Sequence, residues 1–166
     1  KGLGEMQQLA AGVGDLKQIL ANVKTRGMWG EVQCANLLDQ VLTADQYATQ
    51  VAVNPNSNDR VDFAITLPGK DDTPVYLPLD SKVPLDTYHA LVQAQEDANK
   101  EAVLHYSKEL ERQIIHEAKS ISTKYIHPPH TTDFAILYLP IEGLYAEVLR
   151  LNHVYDTLQT KYRVII

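Results

Sequence analysis

The chain has 166 residues, 21 acidic and 15 basic, for a net charge of −6. That is one domain's worth of chain, long enough for a real core, and its acidic balance argues against a generally basic surface that coats nucleic acid. No apolar run approaches a membrane span, no signal peptide is visible, and the lone Cys34 excludes an internal disulfide and fits a reducing compartment, the cytoplasm. Lys1 at the start and the apolar Val164-Ile165-Ile166 at the end read as cuts in a longer protein.

In chain order, Met6, Leu9, Val13, Leu16, Leu20 and Val23 fall at alternating spacings of three and four, the seam of a coiled coil. Gly12 and Gly14 weaken such a helix by roughly 1 kcal/mol each, and a helix packed back on its own domain fits the pattern equally well. Thr25-Arg26-Gly27 is expected to break this helix. A second then runs from about Met28 to Leu42, with Val32, Cys34, Ala35, Leu38, Val41 and Leu42 as its buried side. Glu31 lies on or beside that stripe, where a carboxylate is expensive unless something pairs with it. It either reaches a site or complements the helix dipole in the first turn. Gln46 to Val53 alternates as a strand, with Gln50 within it, and Asn54 to Asp59 is turn chemistry.

Arg60 to Leu67 and Pro74 to Lys82 alternate as two strands of a hairpin. With a period of two, Asp62 points away from Val61, Phe63, Ile65 and Leu67, and Tyr76, Pro78, Asp80 and Lys82 share a face. The hairpin therefore brings Asp62, Asp80 and Lys82 together at one end of a sheet. Two carboxylates can hold a hard divalent cation, and the ammonium can orient a water and offset phosphate charge. The plain alternative is a solvated Asp and Lys on a surface strand. Pro78 cannot donate to a ladder, so a bulge is expected just before Asp80.

Pro84 to about Glu96 reads as a helix, and Asn99 to Ile126 as a longer one ended by His127-Pro128-Pro129. On the longer helix Val103, Tyr106, Leu110, Ile114, Ala118, Ile121 and Tyr125 form the apolar stripe. Lys108, Arg112 and Lys119, with His105 and His116, align on another face, as a phosphate-tracking rail or simply as a solvated one. Thr132 to Leu139 is a buried strand, followed by Pro140-Ile141-Glu142-Gly143 and an amphipathic helix. Strand ends are where open α/β sheets place ligands, which makes Glu142 a further candidate. His127, His130 and His153 fit no zinc spacing, and Ser81-Lys82 is no hydrolase dyad because strand neighbours face opposite ways.

The order Gly30-Glu31-Val32-Gln33, Tyr47 to Val51, Arg60-Val61-Asp62, Leu79-Asp80-Ser81-Lys82-Val83-Pro84-Leu85 and Tyr138-Leu139-Pro140-Ile141-Glu142 resembles the RmuC family of bacterial DNA-recombination proteins. Within it, Asp62 and Asp80-Ser81-Lys82 resemble the signature of the restriction-endonuclease-like PD-(D/E)XK nuclease superfamily. The resemblance implies an α/β fold: a mixed central sheet of about four or five strands flanked by helices, a restriction-endonuclease-like core, and an N-terminal coiled-coil extension. It implies a division into 1–25, the tail of the coiled coil, and 26–166, a nuclease-like domain truncated at its C-terminus. It implies Mg2+ or Mn2+ as cofactor and DNA as partner. Asp62 and Asp80 would hold the metal, with Glu31 assisting as the glutamate of the first core helix, and Lys82 would position the attacking water. Gln50 lies near the site in this picture, and Glu142 matches a proline-x-glutamate element of the family. The N-terminal helix would support a homo-oligomer. The competing reading is a non-catalytic DNA-binding or assembly scaffold that retains the nuclease fold.

Overall fold

The computed structural model describes residues 23–69, 73–82, 84–151 and 153–166. A first helix, α1 (Val23–Val41), precedes three strands, β1 (Tyr47–Val51), β2 (Val61–Leu67) and β3 (Val75–Ser81). Helices α2 (Leu85–Glu96) and α3 (Lys100–Tyr125) lead to β4 (Ala135–Tyr138). Helix α4 (Glu142–Arg150), a single turn α5 (Val154–Thr157) and a π-helical turn (Leu158–Tyr162) lead to β5 (Val164–Ile165). The strands form one sheet in chain order, antiparallel from β1 to β3 and parallel from β3 to β5. Connection length explains the switch, because a short loop can only return a chain antiparallel, whereas a helical crossover permits parallel pairing. This is the expected mixed α/β sheet with helices on both faces.

Alternation along the strands feeds two cores. Phe63 on β2 and Leu79 on β3 pack with Cys34 and Leu38 of α1, joined by the half-buried Ile136 and Tyr138 of β4. On the other face Ala64, Ala135 and Leu137 meet Leu91 of α2, the α3 stripe Leu110, Ile114, Ala118, Ile121 and Tyr125, and Leu144 and Val148 of α4. Asn99 starts α3 by accepting a hydrogen bond from the Ala102 N–H, which satisfies a donor left open in the first turn.

Three expectations need correction. Thr25-Arg26-Gly27 does not break the first helix but lies inside α1; without a proline, one glycine costs only about 1 kcal/mol. Val32 and Val41 are not buried but 54% and 70% exposed. Two residues from Cys34 is about 200° around a helix, so Val32 faces away from the sheet, and Val41 is the helix's last residue. No bulge precedes Asp80, since the β2–β3 register runs unbroken from Leu67 opposite Val75 to Phe63 opposite Leu79. Pro78 is tolerated because its missing donor lies on the β4 side. There Tyr76 donates to the His130 carbonyl, and the β3–β4 ladder begins only at Leu79. The apolar run Val164-Ile165 forms an edge strand paired with Ala135 and Ile136. The heptad positions Met6 to Leu20 lie outside the described residues.

Leu137 is fully buried in the middle of the sheet. Leu137→Ala should therefore lower unfolding free energy by about 2–5 kcal/mol, whereas Val32→Ser should change it by less than about 0.5 kcal/mol. Urea denaturation of both variants checks the assignment of buried and exposed faces.

A candidate acidic site on two adjacent strands

The β2–β3 register sets Phe63 opposite Leu79, and one further step sets Asp62 opposite Asp80. Phe63 and Leu79 pack on α1. The two aspartates sit at the end of the hairpin, where Glu31 and Cys34 of α1 feel the charge of Asp62 and Tyr125 of α3 feels that of both. Both aspartates are almost wholly buried there, Asp62 at 7% and Asp80 at 2% exposure. The Ser81 N–H donates to Asp62 Oδ2 at 2.9 Å, and the Gln50 Nε2 amide reaches Asp62 Oδ1 at 3.5 Å. Lys82 Nζ stands 3.8 Å from Asp80 Oδ2, its own side chain 49% exposed. The pair is thus held from within the sheet and opens to solvent past Lys82.

Electrostatics follow from that burial. Desolvation first, and then the charge of Asp62, push the Asp80 carboxyl from 3.8 up to about 7. Lys82 opposes this rise. The nearby Asp62 side chain adds to the rise. Glu31 reaches Asp62 from α1 through a side-chain hydrogen bond, and its carboxyl is raised by burial and then by the Asp62 charge. Burial alone would lower the Lys82 ammonium. Asp80, Asp62, Glu117 and Glu31 together outweigh it and hold Lys82 above its ordinary range, firmly charged.

The structure therefore brings together Asp62, Asp80, Lys82, Glu31 and Gln50. The remaining candidates stand on exposed helix surfaces. Glu142 is exposed in the first turn of α4. Its neighbour Gly143 has a packing reason, because a Cβ there would stand 2.1 Å from the Tyr88 hydroxyl. Lys108, Arg112 and Lys119 are exposed on the side of α3 turned away from its buried stripe, and Arg112 is tied to Glu109.

Two neighbours went unread in the sequence. Glu117 borders the buried stripe of α3 at Ala118 and adds negative potential at Lys82. Tyr125 donates to the Arg60 carbonyl at 3.1 Å, and burial, followed by Asp80, Asp62, Asp59 and Glu117, pushes its phenol up to about 12. Flanking a stripe is a weak signal for Glu117, and Tyr125 read simply as core. Cys34, behind the sheet, is pushed up to about 12 by burial and then by Asp62, which leaves it an inert thiol.

The donors available to a cation are hard oxygens, the right chemistry for Mg2+ or Mn2+. Among the described residues no three His, Cys, Asp or Glu side chains form a metal-holding group. The fit is therefore to an ion held by the Asp62–Asp80 pair and completed by water, the usual manner of Mg2+. No helix among the described residues is long and apolar enough to cross a membrane.

Fold and site together define a mixed α/β domain with a buried carboxylate pair and an adjoining lysine at the end of its central hairpin. The RmuC family model matches residues 1–166, and the chain belongs to the RmuC family. It is 55% identical over its whole length to a DNA recombination protein RmuC homolog of Xylella fastidiosa (strain Temecula1), covering 37% of that protein. It is 29% identical over 90% of its length to the Pseudomonas aeruginosa RmuC homolog, covering 34%. The Chlamydia trachomatis homolog is 28% identical over 81% of the chain. The chain spans about a third of the length of these relatives. No solved structure matches it.

The raised Asp80 carboxyl ties stability to pH. Between 3.8, the ordinary value, and about 7 the folded state holds a proton that the unfolded chain has released. The Asp80 contribution to stability is then fully present below 3.8 and lost as pH rises through 7. In chelator, the stability of Asp80→Asn relative to the parent should rise steadily from about pH 4 to pH 8. A difference constant over that range in denaturation curves would mean Asp80 is not so perturbed.

Proposed function

We propose that this domain is a Mg2+- or Mn2+-dependent DNA nuclease, with a restriction-endonuclease-like core, that hydrolyses phosphodiester bonds in bacterial DNA recombination or repair. One observation carries the reading: Asp62 and Asp80 stand opposite one another, buried, with Lys82 beside Asp80. The names of the relatives, DNA recombination protein RmuC homologs, supply the substrate class. We place this work in the cytoplasm. Residues 1–25 would be the tail of a coiled coil through which the protein self-associates, and 26–166 the nuclease-like domain.

Asp62 and Asp80 would hold the ion, and Glu31 would bear on the site through Asp62. A bound divalent cation supplies charge that polarises the phosphate and lowers the pKa of a coordinated water. Asp80 must release its proton to act as a ligand, so loading should weaken as pH falls below 7. Lys82 stays charged and half exposed, placed to orient the attacking water and offset phosphate charge. Burial of the pair excludes bulk water, which strengthens every interaction inside.

Purified protein assayed on single-stranded, duplex and branched DNA should cleave with Mg2+ or Mn2+ and not with chelator. Asp80→Asn should abolish cleavage while the fold persists. Lys82→Ala should lower the rate by about 100-fold or more and leave cation binding intact. DNA binding without cleavage under every condition would favour the non-catalytic scaffold instead.

The exposed row of Lys108, Arg112 and Lys119 belongs to the same reading as a phosphate contact surface on α3. Lys108→Glu with Arg112→Glu should weaken DNA binding across all sequences and flatten its salt dependence, because phosphate contacts release counterions. Unchanged affinity and slope would reduce the row to a solvated face.

A further inference from the structure

Gln50 has φ of 51°, a left-handed conformation, although it is neither glycine nor asparagine and lies inside β1. The distortion is not an inserted residue. Thr49 pairs with Phe63 and Val51 with Val61, so the register on either side is continuous and Gln50 alone departs from it. Non-glycine residues held this way concentrate where surrounding contacts enforce them and where the strain serves a site.

The enforcing contacts are visible. The Gln50 carbonyl accepts from Arg60 Nη1 at 3.0 Å, and the Arg60 carbonyl accepts from the Tyr125 hydroxyl at 3.1 Å. Tyr125 belongs to the buried stripe of α3. A chain of hydrogen bonds therefore anchors the strained residue to the core. What the strain aims is the carboxamide, which donates toward Asp62 Oδ1 while Ser81 N–H holds Oδ2. At 3.5 Å that contact is at the long limit of a hydrogen bond.

We propose that Gln50 is a positioning residue: its strained backbone holds the carboxamide against Asp62, and this fixes the orientation in which Asp62 meets a divalent cation. The inference rests on the proposed metal-dependent site. It predicts a residue at which stability and function are opposed. Gln50→Gly removes the strain and the amide together, Gln50→Ala removes the amide and keeps the strain, and Gln50→Asn keeps a shorter amide on a backbone that tolerates positive φ.

The whole chain and these three variants are compared in two measurements. In chelator, Gln50→Gly should unfold at a higher temperature than both the parent and Gln50→Ala, a comparison that needs neither metal nor activity. With Mn2+ alone added, the rise in unfolding temperature should be smaller for the Gly and Ala variants than for the parent, and intermediate for Gln50→Asn. On cleavable DNA, the Gly and Ala variants should lose at least tenfold in kcat with little change in KM. A Gly variant less stable than the parent in chelator overturns the strain, and one with the full Mn2+ shift overturns the positioning role. If the parent cleaves no DNA, the nuclease reading fails, while the chelator and Mn2+ measurements still decide the role of Gln50.

Discussion

Two carboxylates face each other across an antiparallel pair, nearly sealed from water, and much of the surrounding structure exists to make that tolerable. A directly opposed pair of like charges destabilises a sheet, and burial raises the cost of each charge further. The molecule meets this in three ways. Asp62 is given the Ser81 N–H and the Gln50 amide. Asp80 is given Lys82 and a carboxyl that keeps its proton up to about pH 7. The two apolar clusters on either face of the sheet provide the burial that keeps β2 and β3 paired through the repulsion. Removing the Lys82 charge would leave the ionised form of the pair uncompensated, so the lysine and the two carboxylates act as a unit.

The same register explains which parts of the site were legible in the chain. Strand alternation and a turn between two apolar runs are local signals, and they place Asp62, Asp80 and Lys82 on one face without any tertiary information. Glu31 was legible because a carboxylate on an apolar helical stripe demands a partner, and its partner is Asp62. What local pattern could not supply was the extent of cover. Val32 and Val41 are apolar, yet the narrow arc of α1 against the sheet buries Cys34 and Leu38 and leaves these two outside it. Pro78 looked like a break because the chain does not say which edge of β3 goes without a partner at that residue; here the ladder to β4 begins one residue later, at Leu79. The left-handed backbone of Gln50 has no signal at all, since glutamine is an ordinary strand residue and the cause lies in Arg60 and Tyr125.

Geography separates the two basic features of the chain. Lys82 is at the end of β3, half exposed, with four carboxylates raising its proton affinity. It is the cation through which the acidic pair meets the outside. Lys108 and Lys119 lie on the far side of α3, beyond the buried stripe that packs on the sheet. A net charge of −6 spread over such a body would repel a polyanion at long range. On the proposed reading, attraction to phosphate is therefore local, at Lys82 and at the cation that the pair would hold.

That constraint bears on why a carboxylate cluster would persist in an acidic domain. Asp62 beside Asp80 adds nothing to the stability of the fold, because an apolar pair at the same positions would be buried without the repulsion. The strained Gln50 compounds the cost, since a glycine there would relieve the backbone. Local rules of folding are broken at adjoining places that converge on a single carboxylate, and nowhere does the fold itself benefit. Such convergence is expected where side chains are arranged for a ligand rather than for stability, and a divalent cation is the ligand that would turn the opposed charges into an asset.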